Sequence, residues 1–233
     1  MSAFKTNILL LRHGESEANA FVHETGKMSE YSEEMTRKIA SAGPNPALSV
    51  RGKYQAVITA DNLKTRLFIA DRDSNVVFIA SPMQRAKETA TPVANILKHK
   101  KIKFDHNMIE YDGKTYEEAL EFVNKVVDFY FMLQKKAELA CEDQTIFLIG
   151  HSLFFSLLLH VITLNQASLE KTELCCKLAA FFINGHFINV AFHLPNCSIS
   201  SLQVNQKGQW KIFGVGKTDH LPISVQTGTH SMF

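Results

Sequence analysis

Residues 7–19 read NILLLRHGESEAN, a short aliphatic run that passes directly into a charged segment containing one glycine. Such a run, bounded by polar residues, is typical of a strand buried on both faces of a parallel sheet. Arg12 and His13 stand where the strand ends, and successive side chains of a strand point to opposite faces. We therefore expect the backbone to turn at Gly14, whose conformational freedom would let both side chains reach one site.

Two further stretches repeat the buried-strand pattern, Val76–Ala80 and Thr145–Gly150. Between the strands, apolar residues recur at every third or fourth position over 82–98 and 116–140, which predicts amphipathic helices, the first with Pro92 inside it. Buried strands that alternate with helices predict a mainly parallel sheet covered by helices on both faces.

The C-terminal third has a different pattern. Strand-like segments over 188–194, 198–204 and 209–215, with turns at Pro195-Asn196 and Gly208 between them, indicate antiparallel strands at an edge of the sheet. The expected fold class is therefore α/β: a three-layer sandwich with a mostly parallel central sheet, an antiparallel edge and helices on both faces.

We expect one domain over residues 1–233, because this length suits one large domain and neither a linker nor an internal repeat divides the chain. Two segments are predicted to be insertions into this domain, 20–47 and 165–187. The first contains a candidate amphipathic helix, Ser29–Ala42, closed by the breaker Gly43-Pro44. Its composition leaves open whether it is decoration or a lid.

The charge balance excludes some classes of partner. The chain has 25 Lys and Arg against 23 Asp and Glu, a net charge of +2 with neutral histidines, which predicts no nucleic-acid partner and no membrane partner. The longest apolar run, Leu153–Leu164, contains Ser156 and His160 and is too short to cross a bilayer. The first residues carry no secretion-signal pattern, so a cytoplasmic location is expected.

The metal-binding residue types show no arrangement typical of a metal site. The 4 cysteines form neither a Cys-x-x-Cys pair nor a disulfide framework. The 10 histidines show no ligand spacing on a shared face. We therefore expect no metal, no cofactor and a reducing compartment, and the oligomeric state stays open.

Arginine and histidine side chains follow three of the predicted strands. Arg12 and His13 follow the first strand, Arg85 lies near the start of the helix after the second, and His151 follows the third. Open α/β sheets bind ligands at the carboxyl ends of their parallel strands. Guanidinium groups and the amides of helix N-termini both attract anions. The sequence therefore predicts an anion site at this edge of the sheet.

Four blocks of sequence, taken in order, resemble the histidine phosphatase superfamily, the family of phosphoglycerate mutase-like proteins. The blocks are Arg12-His13-Gly14-Glu15 with Asn19, Leu48–Ala56, Ser81–Ala90 and Gly150-His151-Ser152. The segment from Asn196-Cys197-Ser198 to His220-Leu221 is similar to the closing strands of that family. The resemblance spans nearly the whole chain.

The resemblance implies a role for each matching residue. His13 would be the nucleophile, attacking phosphorus in line to form a phosphohistidine, with the nearby cations keeping its imidazole neutral. The residues implied to bind phosphate are Arg12, Asn19, Arg85, His151 and Ser152, the last through backbone amides near it. Two arginines and a second imidazole would neutralise the charge on the phosphoryl oxygens without a metal.

The leaving group needs a proton, and a carboxyl group must supply it and later take one from water. Glu110 matches the acid of the family as a glutamate after the third strand-like segment, 25 residues beyond Arg85. Asp112 and Glu117 are near enough to compete with it. The expected catalytic residues are thus His13, Glu110 and His151.

The activity expected is phosphomonoester hydrolysis. Mutases of this family carry an Asn-Glu-Arg-His-Tyr-Gly run around the acid, where this chain has residues 109–113, IEYDG. The alternatives are mutase-type phosphoryl transfer at the same site, a serine esterase that uses Ser152 in an α/β-hydrolase elbow, and a non-catalytic phosphate-binding domain. The expected substrate is a phosphorylated small molecule or a phosphoprotein, selected by walls from 20–47 and 106–130.

Overall fold

The computed structural model describes most of the chain. The described residues are 5–25, 37, 40–67, 75–99, 101–111, 115–165, 169–179, 182–183, 186–187 and 192–227. The helix predicted over 29–42 lies largely outside these residues, as does the beginning of the strand predicted over 188–194. The single domain with insertions at 20–47 and 165–187 stays a prediction.

A mixed sheet forms the centre of the fold. The strands are β1 (Lys5–Arg12), β2 (Asn75–Ala80), β3 (Ile102–Phe104), β4 (Gln144–Gly150), β5 (Phe182–Ile183), β6 (His186–Phe187), β7 (Ile199–Asn205) and β8 (Trp210–Lys217). The central sheet has the order β3-β2-β4-β1-β7-β8, and β5 and β6 form a separate antiparallel pair. Strands β1 to β4 are parallel, whereas β7 and β8 run antiparallel at one edge. The predicted sheet is confirmed.

Helices cover both faces of this sheet. They are α1 (Glu17–Thr25), α2 (Val50–Leu67), α3 (Gln84–Ile96), α4 (Tyr116–Glu138), α5 (Ser152–Leu164) and α6 (Lys171–Ala179). Along β4, Ile146 and Leu148 face the layer of α4, α5 and α6. Their neighbours Phe147 and Ile149 face the layer of α2 and α3, as the period of a strand requires. The three-layer sandwich is therefore confirmed.

Local signals set the ends of two helices. At the start of α4, Thr115 and Glu118 form a capping box in which each side chain accepts a hydrogen bond from the backbone amide of the other. Helix α3 begins at Gln84, after Met83, and continues through Pro92 as one helix. Its apolar side is buried against the sheet, which favours a continuous helix despite the amide hydrogen bond that a proline removes.

The C-terminal segments include two of the predicted strands. Strands β7 and β8 confirm the predictions over 198–204 and 209–215, with Gly208 between them at a φ of 71°, which favours glycine. In contrast, the described part of the predicted strand 188–194 has no regular secondary structure. The carbonyl of Leu194 accepts a hydrogen bond from Arg12 Nη1 at 2.5 Å instead of joining a strand ladder.

The carboxyl ends of three parallel strands lie side by side. Arg12 at the end of β1 pairs with Gly150 of β4, and Ala80 of β2 pairs with Ile149 of β4. The residues that follow these strands therefore emerge at one edge of the sheet. In the part of the chain that the structure describes, no helix is long and apolar enough to span a membrane.

Candidate active site

The loop after β1 packs backbone against backbone on the first turn of α2. A Cβ atom on Gly14 would lie 2.5 Å from the carbonyl oxygen of Gly52, and a Cβ on Gly52 would lie 1.9 Å from that of Glu15. Gly14 is not among the residues with positive φ. The expectation that Gly14 is needed for its conformational freedom is therefore wrong: what requires glycine there is the close approach of a distant segment.

Glu15 fastens this loop and is itself almost fully buried, with 1% of its surface exposed. Its carboxylate accepts hydrogen bonds from Ser49 Oγ at 2.7 Å and from Arg51 Nη1 at 3.3 Å. Its backbone amide donates to Gln55 Oε1 at 2.8 Å. These contacts explain why the 48–56 block accompanies the first block in the sequence: it holds the loop in place.

His13 is buried, and its two ring nitrogens have different partners. Nδ1 lies 2.6 Å from the carbonyl oxygen of Gly14, which can only accept, so Nδ1 carries the proton. Nε2 accepts a hydrogen bond from Arg85 Nε at 3.2 Å. Both contacts assign the same tautomer, with the lone pair on Nε2 at the sheet edge.

The two arginines reach the site from different layers. Arg12 is 7% exposed, and while its Nη1 bonds to Leu194, its Nε is buried without a hydrogen-bond partner. Arg85 extends from the first turn of α3, where the carbonyl of Arg85 also accepts from Thr89 Oγ1 at 2.8 Å. That threonine hydroxyl in turn accepts from the amide of Gly14 at 3.0 Å, which ties α3 to the loop.

His151 lies opposite His13, with the ring centroids 5.2 Å apart and the planes at 60°. It is fully buried between the end of β4 and the start of α5. Its Nε2 is 2.8 Å from Ser81 Oγ, whereas its Nδ1 has no hydrogen-bond partner. The structure thus brings together all four residues that the three strand ends were predicted to deliver.

Burial and neighbouring cations keep both imidazoles neutral. The pKa of His13 lies well below its ordinary value of 6.5, first because of burial and then because of His151, Arg12 and Arg85. Burial, followed by Arg85 and Arg12, likewise holds the pKa of His151 well below that value. Even the pKa of Arg12 falls to about 10, mainly through burial, so the site is a desolvated pocket of positive charge.

Glu110 is half-buried after β3, beside the amino end of α5. Its Oε2 accepts a hydrogen bond from the amide of Leu153 at 3.3 Å, and Oε1 accepts one from that of Tyr111 at 3.3 Å. Burial raises the pKa of this carboxyl group, and the positive charge of Arg85 is the largest opposing effect. A carboxyl group whose pKa is raised by burial, close to two guanidinium groups, is a suitable proton donor.

Asp112 and Glu117 are the two carboxylates that compete with Glu110. Asp112 lies outside the described residues. Glu117 is exposed in the first turn of α4, where a negative charge stabilises the amino end of a helix. Glu117 therefore stands as a solvent-exposed charge at the amino end of a helix.

Asn19, near the start of α1, is hydrogen-bonded to a second asparagine from a remote segment. Its Oδ1 accepts hydrogen bonds from the amide of Ser16 at 3.3 Å and from Asn196 Nδ2 at 3.2 Å. Asn196 Nδ2 also donates to the carbonyl of His13 at 3.3 Å, and the amide of Cys197 donates to the same oxygen at 3.2 Å. The sequence indicated only a turn at Asn196, and its nearest signal was its place in the closing segment of the resemblance.

Ser152 is the first residue of α5, directly after His151. Within the described residues its hydroxyl makes no hydrogen bond to a histidine or a carboxylate, as the serine of an esterase triad would. Among the described residues, no three His, Cys, Asp or Glu side chains cluster as metal ligands would.

Comparisons with known proteins identify the family of the chain. The family model described as histidine phosphatase superfamily (branch 1) matches residues 8–130 of the chain. That range contains His13, Arg85 and Glu110. No curated protein sequence matches the chain.

Several solved structures share the fold. A phosphoserine phosphatase from Entamoeba histolytica, in complex with 3-phosphoglyceric acid, is 17% identical with a TM-score of 0.57 over 93% of this chain and 100% of that one. A phosphoglycerate mutase from Plasmodium falciparum is 18% identical with a TM-score of 0.51 over 94% and 96%. A mycobacterial glucosyl-3-phosphoglycerate phosphatase in complex with VO3 is 15% identical with a TM-score of 0.55 over 91% and 99%. These likenesses show that the fold is phosphoglycerate mutase-like.

Proposed function

The chain belongs to the histidine phosphatase superfamily, and from this membership we propose that it hydrolyses phosphomonoesters through a covalent phosphohistidine at His13. One observation carries the proposal. Two buried nitrogens, Arg12 Nε and His151 Nδ1, have no hydrogen-bond partner, and they belong to side chains that interact with the ring of His13.

A bound phosphoryl group would complete these unfilled hydrogen bonds. Buried polar groups nearly always have a partner, so a pocket with unpartnered buried nitrogens is suited to a ligand that brings acceptors. A guanidinium nitrogen can only donate, and here the donors surround a site of positive charge. A phosphoryl group has several acceptor oxygens and negative charge, which Arg12, Arg85, His151 and the amide side of Asn19 would bind.

The first half-reaction uses the lone pair of His13 Nε2. That lone pair attacks phosphorus and forms an N–P bond while the bond from phosphorus to the leaving oxygen breaks. Arg85 Nε–H, which bonds to Nε2 in the free enzyme, would transfer its hydrogen bond to a phosphoryl oxygen. The Nδ1–H bond to the carbonyl of Gly14 stays in place and stabilises the positive charge that the ring acquires.

Glu110 would move the protons in both half-reactions. Its protonated carboxyl group gives a proton to the leaving oxygen, which departs as an alcohol. The resulting carboxylate takes a proton from a water molecule as the water oxygen attacks phosphorus and the N–P bond breaks. Inorganic phosphate forms, His13 recovers its lone pair and Glu110 its proton, so the cycle closes.

Hydrolysis is favoured over mutase-type transfer by the residues around the acid. The segment 109–113 lacks the arginine and histidine of the mutase run, which leaves fewer positive groups to retain a second phosphoryl group. The substrate proposed is a phosphorylated small molecule, as for the Entamoeba and mycobacterial phosphatases of this fold, with a phosphoprotein as the alternative. The free cysteines fit the cytoplasmic location that we propose.

Hydrolysis of p-nitrophenyl phosphate tests the proposal. We expect His13→Ala to lower kcat by about a thousandfold or more, because the nucleophile is lost. The matched control is His99→Ala, which removes a half-buried histidine after α3, outside the site and the proposed substrate walls, and leaves kcat unchanged. Ser152→Ala should keep most of the activity, and a loss confined to this variant would instead support a serine hydrolase.

Two further measurements examine the intermediate and the absence of a metal. Rapid quenching during turnover should trap a phosphoryl label that is stable in base and labile in acid, and His13→Ala should abolish it. Turnover should persist in EDTA, since the proposed charge neutralisation comes from arginines. Turnover that stops in EDTA and returns with a divalent cation would contradict the mechanism.

A further inference from the structure

Ser81 is a buried hydroxyl group beside the site to which the proposed reaction assigns no role. It follows β2 and has 0% of its surface exposed. Its Oγ lies 2.8 Å from His151 Nε2 and also accepts a hydrogen bond from the amide of Met83 at 3.3 Å. Ser81 is therefore the direct neighbour of the second histidine on the side away from its unpartnered nitrogen.

These contacts decide where the protons lie. The amide of Met83 has a proton to give and takes one lone pair of Ser81 Oγ, so the serine proton must point to another acceptor. In the described part of the chain, the other hydrogen-bond partner of Ser81 Oγ is His151 Nε2, which accepts this proton if the ring is protonated at Nδ1. A neutral imidazole carries one proton, so a ring that accepts at Nε2 carries its proton on Nδ1.

We propose that Ser81 is a positioning residue that holds His151 in the tautomer protonated at Nδ1, so that the unpartnered nitrogen of this ring donates a hydrogen bond to the phosphoryl group. The proposal rests on the proposed function for the identity of that ligand. The opposite tautomer would direct a lone pair at the phosphoryl oxygens and leave the buried proton of Ser81 without an acceptor.

The two histidines then share a tautomer but present opposite groups. In His13 the carbonyl of Gly14 binds Nδ1–H, so the lone pair at Nε2 is available for attack. In His151 the hydroxyl of Ser81 binds the Nε2 lone pair, so Nδ1–H is available for donation. A backbone carbonyl thus makes one ring a nucleophile, and a side-chain hydroxyl makes the other a donor.

Both rings must be neutral for this distinction to exist, and the pocket supplies that condition. Burial and the charges of Arg85 and Arg12 hold the pKa of His151 well below its ordinary value. A neutral histidine without a constraint favours the proton on Nε2. Removal of the Ser81 hydroxyl should therefore let His151 revert to the form with a lone pair on Nδ1.

Nitrogen-15 NMR of the histidine side chains at neutral pH tests this directly, because it reports which ring nitrogen carries the proton. We expect His151 protonated at Nδ1 in the wild-type protein, with the proton shifted to Nε2 in Ser81→Ala. Ser81→Thr keeps the hydroxyl group and should keep the wild-type tautomer. The signals of His13 serve as an internal control and should not change, since Gly14 sets its tautomer.

Binding of inorganic phosphate supplies the second measurement. Ser81→Ala should raise the Kd for phosphate by about tenfold, the loss expected for one hydrogen bond to a charged group. Ser81→Thr should keep the Kd of the wild-type protein. A wild-type His151 protonated at Nε2 would overturn the proposal, and so would an unchanged tautomer in Ser81→Ala. Neither measurement needs turnover, so a protein that binds phosphate but hydrolyses nothing would count against the proposed function only.

Discussion

The loop after β1 and the segment after β3 both contribute to the site, yet the protein holds them very differently. The first, the nucleophile loop (residues 12–19), is bonded to α2, to α3 and to the turn before β7. The second, the acid segment (residues 109–111), is bonded through its carboxylate to its own next amide and to Leu153 of α5. The nucleophile loop is thus hydrogen-bonded to three remote segments, whereas the carboxylate of Glu110 is hydrogen-bonded to one remote segment, the amino end of α5.

This difference suits the two kinds of chemistry. A nucleophile gains from fixed orientation, because phosphoryl transfer depends on in-line geometry. A general acid must stay protonated, and each hydrogen bond donated to its carboxylate favours the charged form and lowers its pKa. Burial raises the pKa of Glu110, although two backbone amides and the positive charges of Arg85 and Arg12 favour its charged form.

Gly52→Ala tests the close packing of the nucleophile loop against α2. The new methyl group would lie 1.9 Å from the carbonyl of Glu15, so the loop and α2 must separate. We expect the free energy of unfolding to fall by about 3 kcal/mol, measured by urea denaturation. Gly214→Ala is the matched control, since its methyl group meets nothing closer than 3.6 Å. Equal stabilities of the two variants would contradict the close packing.

Glu110→Gln tests the proposed role of the acid segment as proton donor. We expect kcat to fall by about a hundredfold for an alkyl phosphate, whose leaving oxygen needs a proton. The loss should be much smaller for p-nitrophenyl phosphate, whose leaving group departs as an anion. Glu117→Gln, which changes an exposed carboxylate of α4, should leave both rates unchanged. A uniform loss on both substrates would show that Glu110 is not the proton donor.

The pH dependence of the free energy of unfolding tests the burial of His13. The pKa of His13 is lower in the folded protein than its ordinary 6.5, so below pH 6.5 the unfolded chain binds more protons. Stability should therefore fall as the pH falls from 6.5 towards the folded pKa, by up to about 1.4 kcal/mol per pH unit.

Glu110 has the opposite effect, because its pKa is raised above 4.5 in the folded protein and its contribution is lost as the pH rises. The difference between wild-type protein and His13→Asn isolates the histidine contribution. We expect the variant to lose less stability than the wild-type protein between pH 7 and pH 5 in thermal or urea unfolding. Identical slopes would mean that His13 is not desolvated in the folded state.

Most of the fold could be predicted from the sequence because it depends on local patterns. The strands β1, β2 and β4 coincide with their predicted ranges to within two residues, since a buried strand shows itself as a continuous apolar run. The hydrogen bond from Arg12 to Leu194, at the end of the strand predicted over 188–194, joins residues that lie far apart in the chain. No local pattern carries information about that bond.

The residue types of the site could be predicted from the sequence. The structural reason for some of them could not. The roles of His13, Arg12, Arg85 and His151 stay predictions, but their convergence follows from the order of the strands. Gly14 was predicted to serve a turn, whereas the structure uses it for contact with Gly52.

The amino-acid sequence alone predicted the α/β sandwich and the side chains that follow its parallel strands, because hydrophobic periodicity and the residues at the end of a strand are local properties of the chain. The tertiary structure decided which group faces each nitrogen of the two imidazoles and in which direction burial shifts each pKa. Those properties depend on partners from remote segments, such as Ser81 beside His151 at 2.8 Å, and on the exclusion of water, which only the packed molecule provides.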